Sequence, residues 1–506
     1  MQKTYAAIDV GSNAMRMIIA RRSQPDQPPQ PLESIRLPIR LGQDAFTQGH
    51  IGDSLLTAAA DAFVHFRRVA DAFEVTDLRA VATSALRESD NAETLIDRVY
   101  TASNIRIEVI SGEEEARLVH LAITRSVSLA NTRAMLIDIG GGSVEVTITQ
   151  GEEIINAESY PLGTVRLLRK LADTGDNPNP RLLRDFTEAI RGRVRREIAG
   201  KPIQLVVGTG GNIEELGALA QRLFKSASAQ ELSASDLKKL LGLFEGLTPA
   251  QRAENFNLRS DRADVILPAA VVLYTLLKLT PVKAVTIPNV GLKDGVLIDL
   301  AANGASSGLP RDQVVINSAL RLGERFFYDA PHALAVEKLS MKIFDQTLTL
   351  HRLNEKDRVI LRVATLLHDV GHFINTIDHD KHGYYILQNV PLLGFSPEEQ
   401  HLAAVIVRIH RKGRVPSNDD AFKNLGLEDR QRALKSCAIL RLADALETGR
   451  SGRLADIELI QSGPRSMTLI LYGEGDFLLE TWSLNKRKGL FEEVFGVSLD
   501  AQPVRR

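Results

Sequence analysis

The chain is nearly free of cysteine. Among its 506 residues only Cys437 carries a thiol, so no intramolecular disulfide can form, and a reducing cytoplasm is the expected location. It also lacks an excess of either charge. A formal net charge of −1 gives no global cationic field of the kind that draws in nucleic acid, so no such partner is expected. Any polyanion would have to be caught by local patches. Long apolar runs are missing too. The longest, VILPAAVVLYTLL at 265–277, is too short to span a bilayer and contains Pro268, so no membrane partner is expected. MQKTYAAIDV shows no charged region followed by an apolar stretch, and no secretory signal is expected. What remains is ordinary for a soluble globular protein, with 44% hydrophobic and 25% charged residues. The length calls for roughly three or four domains.

One phrase stands in the chain twice. AAIDVGSNAMRMIIA (6–20) and AMLIDIGGGSVE (134–145) each run an apolar strand into an aspartate and a glycine turn. Aligning Asp9 with Asp138 pairs Ile8 with Ile137, Gly11 with Gly140 and Ile19 with Ile148. Such self-similarity, about 130 residues apart, reads as a duplicated domain. Strands are expected at 4–10, 14–22, 78–83, 105–110, 134–139, 144–149, 153–160, 203–208 and 284–288. PDQPPQP (25–31) reads as a hairpin tip, because proline cannot sit in a central strand. Ser111 with Glu114 reads as a capping box opening a helix.

The domains are therefore expected at 1–128 and 129–301, with the 291–301 helix a candidate to pack back on the first half. ANGASSGLPR (302–311) reads as a linker. Residues 312–450 read as almost wholly helical. The remainder, 451–506, carries alternating runs such as SMTLILY and FLLETWSL and reads as a small α+β tail.

The glycine turns carry the chemistry. GSN (11–13), GGGS (140–143) and GTGGN (208–212) each follow a strand, and glycine lets backbone N–H groups crowd around phosphate oxygens. The third also opens a helix, whose N-terminus favours an anion. Glycine turns alone can be mere tight turns, but three such loops point to phosphate. Asp138 and Glu145 face the same opening, and two carboxylates beside phosphate loops repel the ligand unless a cation stands between them. Mg²⁺ fits that place. The arrangement resembles the actin-like ATPase superfold, in which two ribonuclease-H-like halves clamp phosphate.

The words AVATSALRESDN (80–91), VISGEEEARLVHLAI (109–123), RADVILPA (262–269) and GLKDG (291–295) are more discriminating. With the glycine loops they resemble the exopolyphosphatase/guanosine pentaphosphate phosphatase (Ppx/GppA) family over about the first 300 residues. The resemblance implies hydrolysis of a terminal phosphoanhydride. It implies Glu115 as the catalytic carboxylate, acting on water. It implies Asp138 and Glu145 as ligands of Mg²⁺ or Mn²⁺, with Asp9 facing them. Phosphate contacts would come from Arg87, from Gly11, Ser12 and Asn13, from Gly140, Gly141, Gly142 and Ser143, and from Gly208, Thr209, Gly210, Gly211 and Asn212. Arg262 would contact a nucleotide, or simply pair with Asp261 or Asp264. Asn212 stands where the family more often has threonine. A homodimer is also implied.

Eight of the 11 histidines fall between 332 and 410: His332, His351, His368, His372, His379, His382, His401 and His410. His332 on an earlier helix, His368 and Asp369 at a helix end and Asp444 on a later helix resemble the HD phosphohydrolase domain, whose four ligands hold a divalent metal; imidazole suits a transition metal. The alternative is a relic whose histidines are satisfied by hydrogen bonds. VRIHRKGRV (407–415) is either a solvated face or a track for an anionic polymer through Arg408, Arg411, Lys412 and Arg414. The fold class expected is thus α/β: two ribonuclease-H-like halves, an all-α HD-like domain and a small α+β domain. The leading activity is exopolyphosphatase. The alternatives are guanosine pentaphosphate phosphatase, a nucleotide phosphohydrolase working from the HD-like domain, and a nucleotide-sensing module without turnover.

Overall fold

Long buried apolar runs, each ending at a glycine turn, form the central strands of two sheets. The computed structural model describes residues 3–23, 29–171, 180–198, 201–226, 228–302, 311–411, 419–450, 452–474 and 476–505. The chain divides into two compact units, residues 1–308 and 309–506.

In the first unit, β1 (Lys3–Val10), β2 (Met15–Arg22), β3 (Gln30–Leu37), β4 (Asp77–Ala82) and β5 (Ile107–Val109) form one sheet in the order β3-β2-β1-β4-β5. The pairs β1/β2 and β2/β3 are antiparallel, while β1/β4 and β4/β5 are parallel. A second sheet holds β6 (Arg133–Ile139), β7 (Val144–Gln150), β8 (Glu153–Tyr160), β9 (Leu205–Thr209), β10 (Glu231–Ser233) and β11 (Ala284–Thr286). Its order is β10-β11-β9-β6-β7-β8. Without β10 this is the first sheet again, hand for hand, as a duplication requires. β10 was not expected; it is three residues long and adds an antiparallel edge to β11. Of the proline-rich tip, residues 24–28 lie outside the described residues, and β3 begins at Gln30 with Pro31 on an edge strand.

Two helices lie between the sheets. Gly112–Ser126 contributes Leu118, Val119 and Ile123, and Leu292–Ala302 contributes Leu292, Val296 and Leu297. They pack with Tyr5, Ala7 and Val81 of the first sheet and with Leu136 and Val207 of the second. Burial of these apolar side chains holds the halves together. Arg22 donates to the Ala301 carbonyl at 2.6 Å, so the later helix is tied to the first sheet. Only half of the expected capping box forms. Ser111 Oγ accepts from the Glu114 N–H at 3.2 Å, but the Glu114 carboxylate turns to Arg117, at 2.7 and 2.8 Å. Arg117 also reaches Asp299 at 2.9 Å and so locks the two helices together.

In the second unit the helices Arg311–Arg325, Ala330–Gln346, Glu355–Leu367, His379–Asn389, Pro397–Ile409 and Leu427–Leu446 precede β12 (Leu454–Gly463), β13 (Ser466–Gly473) and β14 (Ser498–Arg505). The boundary expected at 450/451 does not separate two cores. Val336, Leu367, Val405 and Leu440 share one cluster with Leu469, Leu471, Phe491 and Leu499. FLLETWSL is not a strand: Leu478–Arg487 is helical, and its buried Glu480, Ser483 and Leu484 fall three to four residues apart. The linker expected at 302–311 lies, from 303 to 310, outside the described residues. Among the described residues no helix is long and apolar enough to cross a membrane.

The helix pair between the sheets meets at bare backbone. A Cβ on Gly295 would stand 1.9 Å from the Leu118 carbonyl oxygen. Gly295→Ala must push the helices apart, at a cost of about 1–3 kcal/mol. The expected outcome is a lower melting temperature for the first unit and reduced turnover, because the displaced helix carries Glu115; calorimetry and a phosphate-release assay check both.

Candidate active site

The two halves of the duplication differ at one cross-strand pair. In the first, Asp9 on β1 faces Arg16 on β2, and the Arg16 guanidinium donates to Asp9 Oδ2 at 3.1 Å. In the second, Asp138 on β6 faces Glu145 on β7 in the equivalent register. One aspartate is therefore neutralised and the other faces a like charge. The helix Gly112–Ser126 adds a third carboxylate. Glu115, Asp138 and Glu145 each place an oxygen within 4.8 Å of the others. Glu115 and Glu145 are buried, and Oε2 of each has no hydrogen-bond partner, while Ser159 donates to Glu145 Oε1 at 2.8 Å.

Burial raises all three. Asp138 is pushed up to about 6 by burial, with Thr209 opposing and Asp9 adding to the rise, and Glu145 is pushed up to about 7 by burial and then by Asp138. Glu115 is held well above the usual carboxylate range by burial and by Glu145. Three close carboxylates, two of them buried with an orphaned oxygen, are the donor set of a hard divalent cation, so the residues present fit one. Asp9, expected to face them, lines the same cavity and raises Asp138 and Glu115 by its charge; it accepts from Arg16 and is not one of the three mutually close carboxylates.

Glu115 and Asp138 line a cavity of about 350 Å³ in the first unit, with Glu145 next to them but off its surface. All three glycine loops reach it, through Gly11–Asn13, Gly140, Gly141 and Ser143, and Gly210–Asn212. The loops converge closely. A Cβ on Gly141 would lie 3.1 Å from Ser12 Cβ, and one on Gly210, whose φ is +97°, 3.0 Å from Asp138 Oδ1. Gly142, Gly208 and Thr209 stand behind this surface rather than on it. Arg87 donates to the Ile110 carbonyl at 2.6 Å and lies 3.8 Å from Glu115 Oε2, so it backs that carboxylate.

Five basic side chains, Arg16, Arg36, Arg259, Arg262 and Lys293, line the same cavity, along with Asp9, Glu214 and Asp294. Arg262 does not pair with Asp261 or Asp264. Arg36 bonds Asp261, and Arg40 takes Asp264 at 2.8 and 2.9 Å. Arg262 instead donates to Asn212 Oδ1 at 2.5 Å, the residue at which the third loop departs from threonine. Burial, reinforced by Arg16, Arg36 and Arg259, lowers Arg262 to about 10. Crowded guanidiniums of this kind welcome a polyanion. Sequence reasoning missed Arg16, Arg36 and Lys293. Lys293 stood within the word GLKDG; Arg16 and Arg36 carried no local signal.

The second unit brings the other predicted set together. His332 Nε2 lies 3.8 Å from Asp369 and 3.7 Å from Asp444, and His368 Nε2 lies 3.7 and 3.9 Å from the same two carboxylates. His368 Nε2 is buried without a hydrogen-bond partner. His351, by contrast, is a satisfied structural histidine, bonded to the Phe344 carbonyl at 2.9 Å and accepting from the Leu353 N–H at 2.9 Å. Arg408 is not free for a polymer: it is largely buried and pairs with Asp380 at 2.8 Å and Asp419 at 2.9 Å. Arg411 is exposed, and Lys412 and Arg414 lie outside the described residues.

Comparison with known proteins agrees with this geometry. Residues 18–303 match the Ppx/GppA phosphatase family, and residues 314–483 match Ppx/GppA phosphatase, domain III. The chain is 24% identical over 475 residues to a guanosine-5'-triphosphate,3'-diphosphate pyrophosphatase of Aeromonas hydrophila, covering 92% of each. It is 30% identical over 314 residues to exopolyphosphatase 1 of Mycobacterium tuberculosis, covering 59% of this chain and 89% of that protein. A crystal structure of an exopolyphosphatase from Cytophaga hutchinsonii superposes with a TM-score of 0.56 at 25% identity, over 60% of this chain and 98% of that one. The Aquifex aeolicus member of the Ppx/GppA family superposes with a TM-score of 0.52 at 25% identity, over 61% of this chain and all of that one. With family matches covering residues 18–303 and 314–483, the chain belongs to the Ppx/GppA phosphatase family.

Proposed function

We propose that the chain is an exopolyphosphatase that removes the terminal phosphate of inorganic polyphosphate. The observation that carries this reading is the pairing of an acidic triad with five basic side chains around converging glycine loops. A chain of phosphates needs cationic side chains and backbone N–H donors along its length, and its end needs a cation at the carboxylates. Water adds to the terminal phosphorus, the bridging P–O bond breaks, and orthophosphate leaves with a chain one phosphate shorter. Glu115 orients the water and takes its proton, and Arg87 positions Glu115. Asp138 and Glu145 would hold Mg²⁺ or Mn²⁺, which when bound supplies positive charge to the phosphoryl oxygens. Arg16, Arg36, Arg262 and Lys293 bind the phosphates behind the terminal one.

Guanosine pentaphosphate is the second substrate to be read from this site. The near full-length match to a protein named for that reaction favours it, as does Arg262 at the third loop. A homodimer acting in the cytoplasm belongs to the same proposal, as does an HD-like metal site at His332, His368, Asp369 and Asp444, supported by the Nε2-to-carboxylate spacings there.

Phosphate release from long-chain polyphosphate and from guanosine pentaphosphate tests the assignment. Glu115→Ala is expected to lower kcat on both by about 10²- to 10⁴-fold, while Asp369→Ala leaves kcat unchanged. The opposite pattern moves the chemistry to the second unit. Arg262→Lys keeps the charge but loses the planar fork on Asn212. It is expected to raise KM about tenfold, a cost of 1.4 kcal/mol, for the nucleotide and less for the polymer. Equal effects on both would remove Arg262 as a nucleotide contact.

A further inference from the structure

We infer that Arg166 is a positioning residue, which sets the phosphate loop Gly140–Ser143 and ties its geometry to the fit between the two halves of the first unit. Arg166 is not among the residues lining the cavity, so it acts on the hydrolysis proposed above, on which its role rests, only through that loop.

The carbonyls of the loop fix the direction it faces. The Thr164 N–H donates to the Gly140 carbonyl at 3.0 Å, and those of Val165 and Arg166 donate to the Gly141 carbonyl at 2.8 and 3.1 Å. The Gly142 carbonyl accepts twice, from the Gly163 N–H at 3.1 Å and from Arg166 Nε at 2.7 Å. All three carbonyls thus turn toward the start of the helix Thr164–Lys170. In a planar trans peptide the following N–H points the opposite way. The N–H groups of Gly141, Gly142 and Ser143 therefore face away from that helix, and none has a hydrogen-bond partner among the described residues. Gly141 and Ser143 line the cavity. Successive open amides of this kind seat phosphate oxygens.

The side chain that holds the Gly142 peptide is anchored in the other half. Arg166 Nη2 donates to Glu88 Oε1 at 2.5 Å, and its guanidinium carbon lies 4.0 Å from the centre of the Phe46 ring. Phe46 belongs to the helix Gly42–Gln48, and Glu88 follows the turn Ser84–Arg87. Glu88 is next in sequence to Arg87, which backs Glu115. The fit leaves no slack. A Cβ on Gly142 would stand 2.2 Å from Ser84 Oγ and 2.3 Å from Phe46 Cζ, and one on Gly163 would stand 2.2 Å from the Gly142 carbonyl carbon. The Arg166 side chain is only 11% exposed, which strengthens its charge-assisted bonds. Reaching two acceptors while stacking on a ring takes the planar fork of arginine. Arg36 and Arg40 bridge the halves to Asp261 and Asp264, whereas Arg166 bridges them to a loop carbonyl.

Steady-state phosphate release by the full-length protein tests the assignment. Arg166→Ala is expected to lower kcat/KM about 10- to 100-fold. The factor is expected to be the same for long-chain polyphosphate and for guanosine pentaphosphate, since each presents a terminal phosphate to the loop. Arg166→Lys keeps a charge beside Glu88 but cannot hold both acceptors. It is expected to retain the parent's melting temperature and still lose kcat/KM. Glu88→Gln alone is expected to cost about two- to fivefold. In the Arg166→Ala background it is expected to cost nothing further, because its effect passes through Arg166. Orthophosphate, titrated calorimetrically with magnesium present, is expected to bind about tenfold more weakly to either Arg166 variant. An unchanged kcat/KM in Arg166→Lys, a loss confined to one substrate, or a Glu88→Gln loss that persists in full without Arg166 overturns the positioning role. If the unaltered chain releases phosphate from neither substrate, the proposed function falls and the orthophosphate titration decides alone. Equal binding by parent and variants, or none by any of them, then overturns the role of Arg166 as well.

Discussion

The front unit is organised around carboxylates that resist being ionised together in the absence of positive charge. Asp138 and Glu145 face each other across β6 and β7, and Glu115 joins them from a helix. In the first half of the duplication the corresponding pair is Asp9 and Arg16, an ion pair at the same cavity. The same strand–turn–strand thus presents a balanced pair once and a pair of like charges once. A single side-chain difference at one cross-strand position separates the two uses, because like charges directly opposite are unfavourable and unlike charges are not.

What brings the third carboxylate into place is packing. The helices Gly112–Ser126 and Leu292–Ala302 occupy the space between the sheets and are pinned to each other by Arg117 and Asp299. Glu115 sits in the first turn of the former and arrives where the loops of both halves meet. Arg36 and Arg40 add polar braces from β3 and its following loop to Asp261 and Asp264 in the other half. These braces free Arg262 to hold Asn212 of the third loop. The cavity therefore brings together carboxylates, cationic side chains and glycine-loop backbone, the three parts that recognition of a phosphoanhydride calls for.

The second unit shows how differently histidines can be used in one core. His351 spends both ring nitrogens on neighbouring backbone. His368, His379 and His410 spend one each, on a carbonyl three residues before, and turn the other nitrogen inward. Arg408 shows the same contrast among cations: a basic stretch that reads as a surface track supplies a buried partner for Asp380 and Asp419 instead. Local composition does not distinguish these fates, since each depends on what the next helix presents.

By itself the sequence determined the duplication, the strands that carry Asp9 and Asp138, the glycine turns and the motif words of the family, because these are written in contiguous residues as apolar runs with fixed turn chemistry. It also singled out His332, His368, Asp369 and Asp444 in the helical region. Other features were decided only by the tertiary structure. Arg16 and Arg36 join the site through strand register and sheet order; the Asp9 carboxylate is lost to Arg16; FLLETWSL becomes a helix against a core begun more than a hundred residues earlier; and His372 and His379 converge on Asp369. All of these depend on contacts between segments far apart in the chain, and no local pattern carries the distance between two side chains that meet only after the backbone has folded.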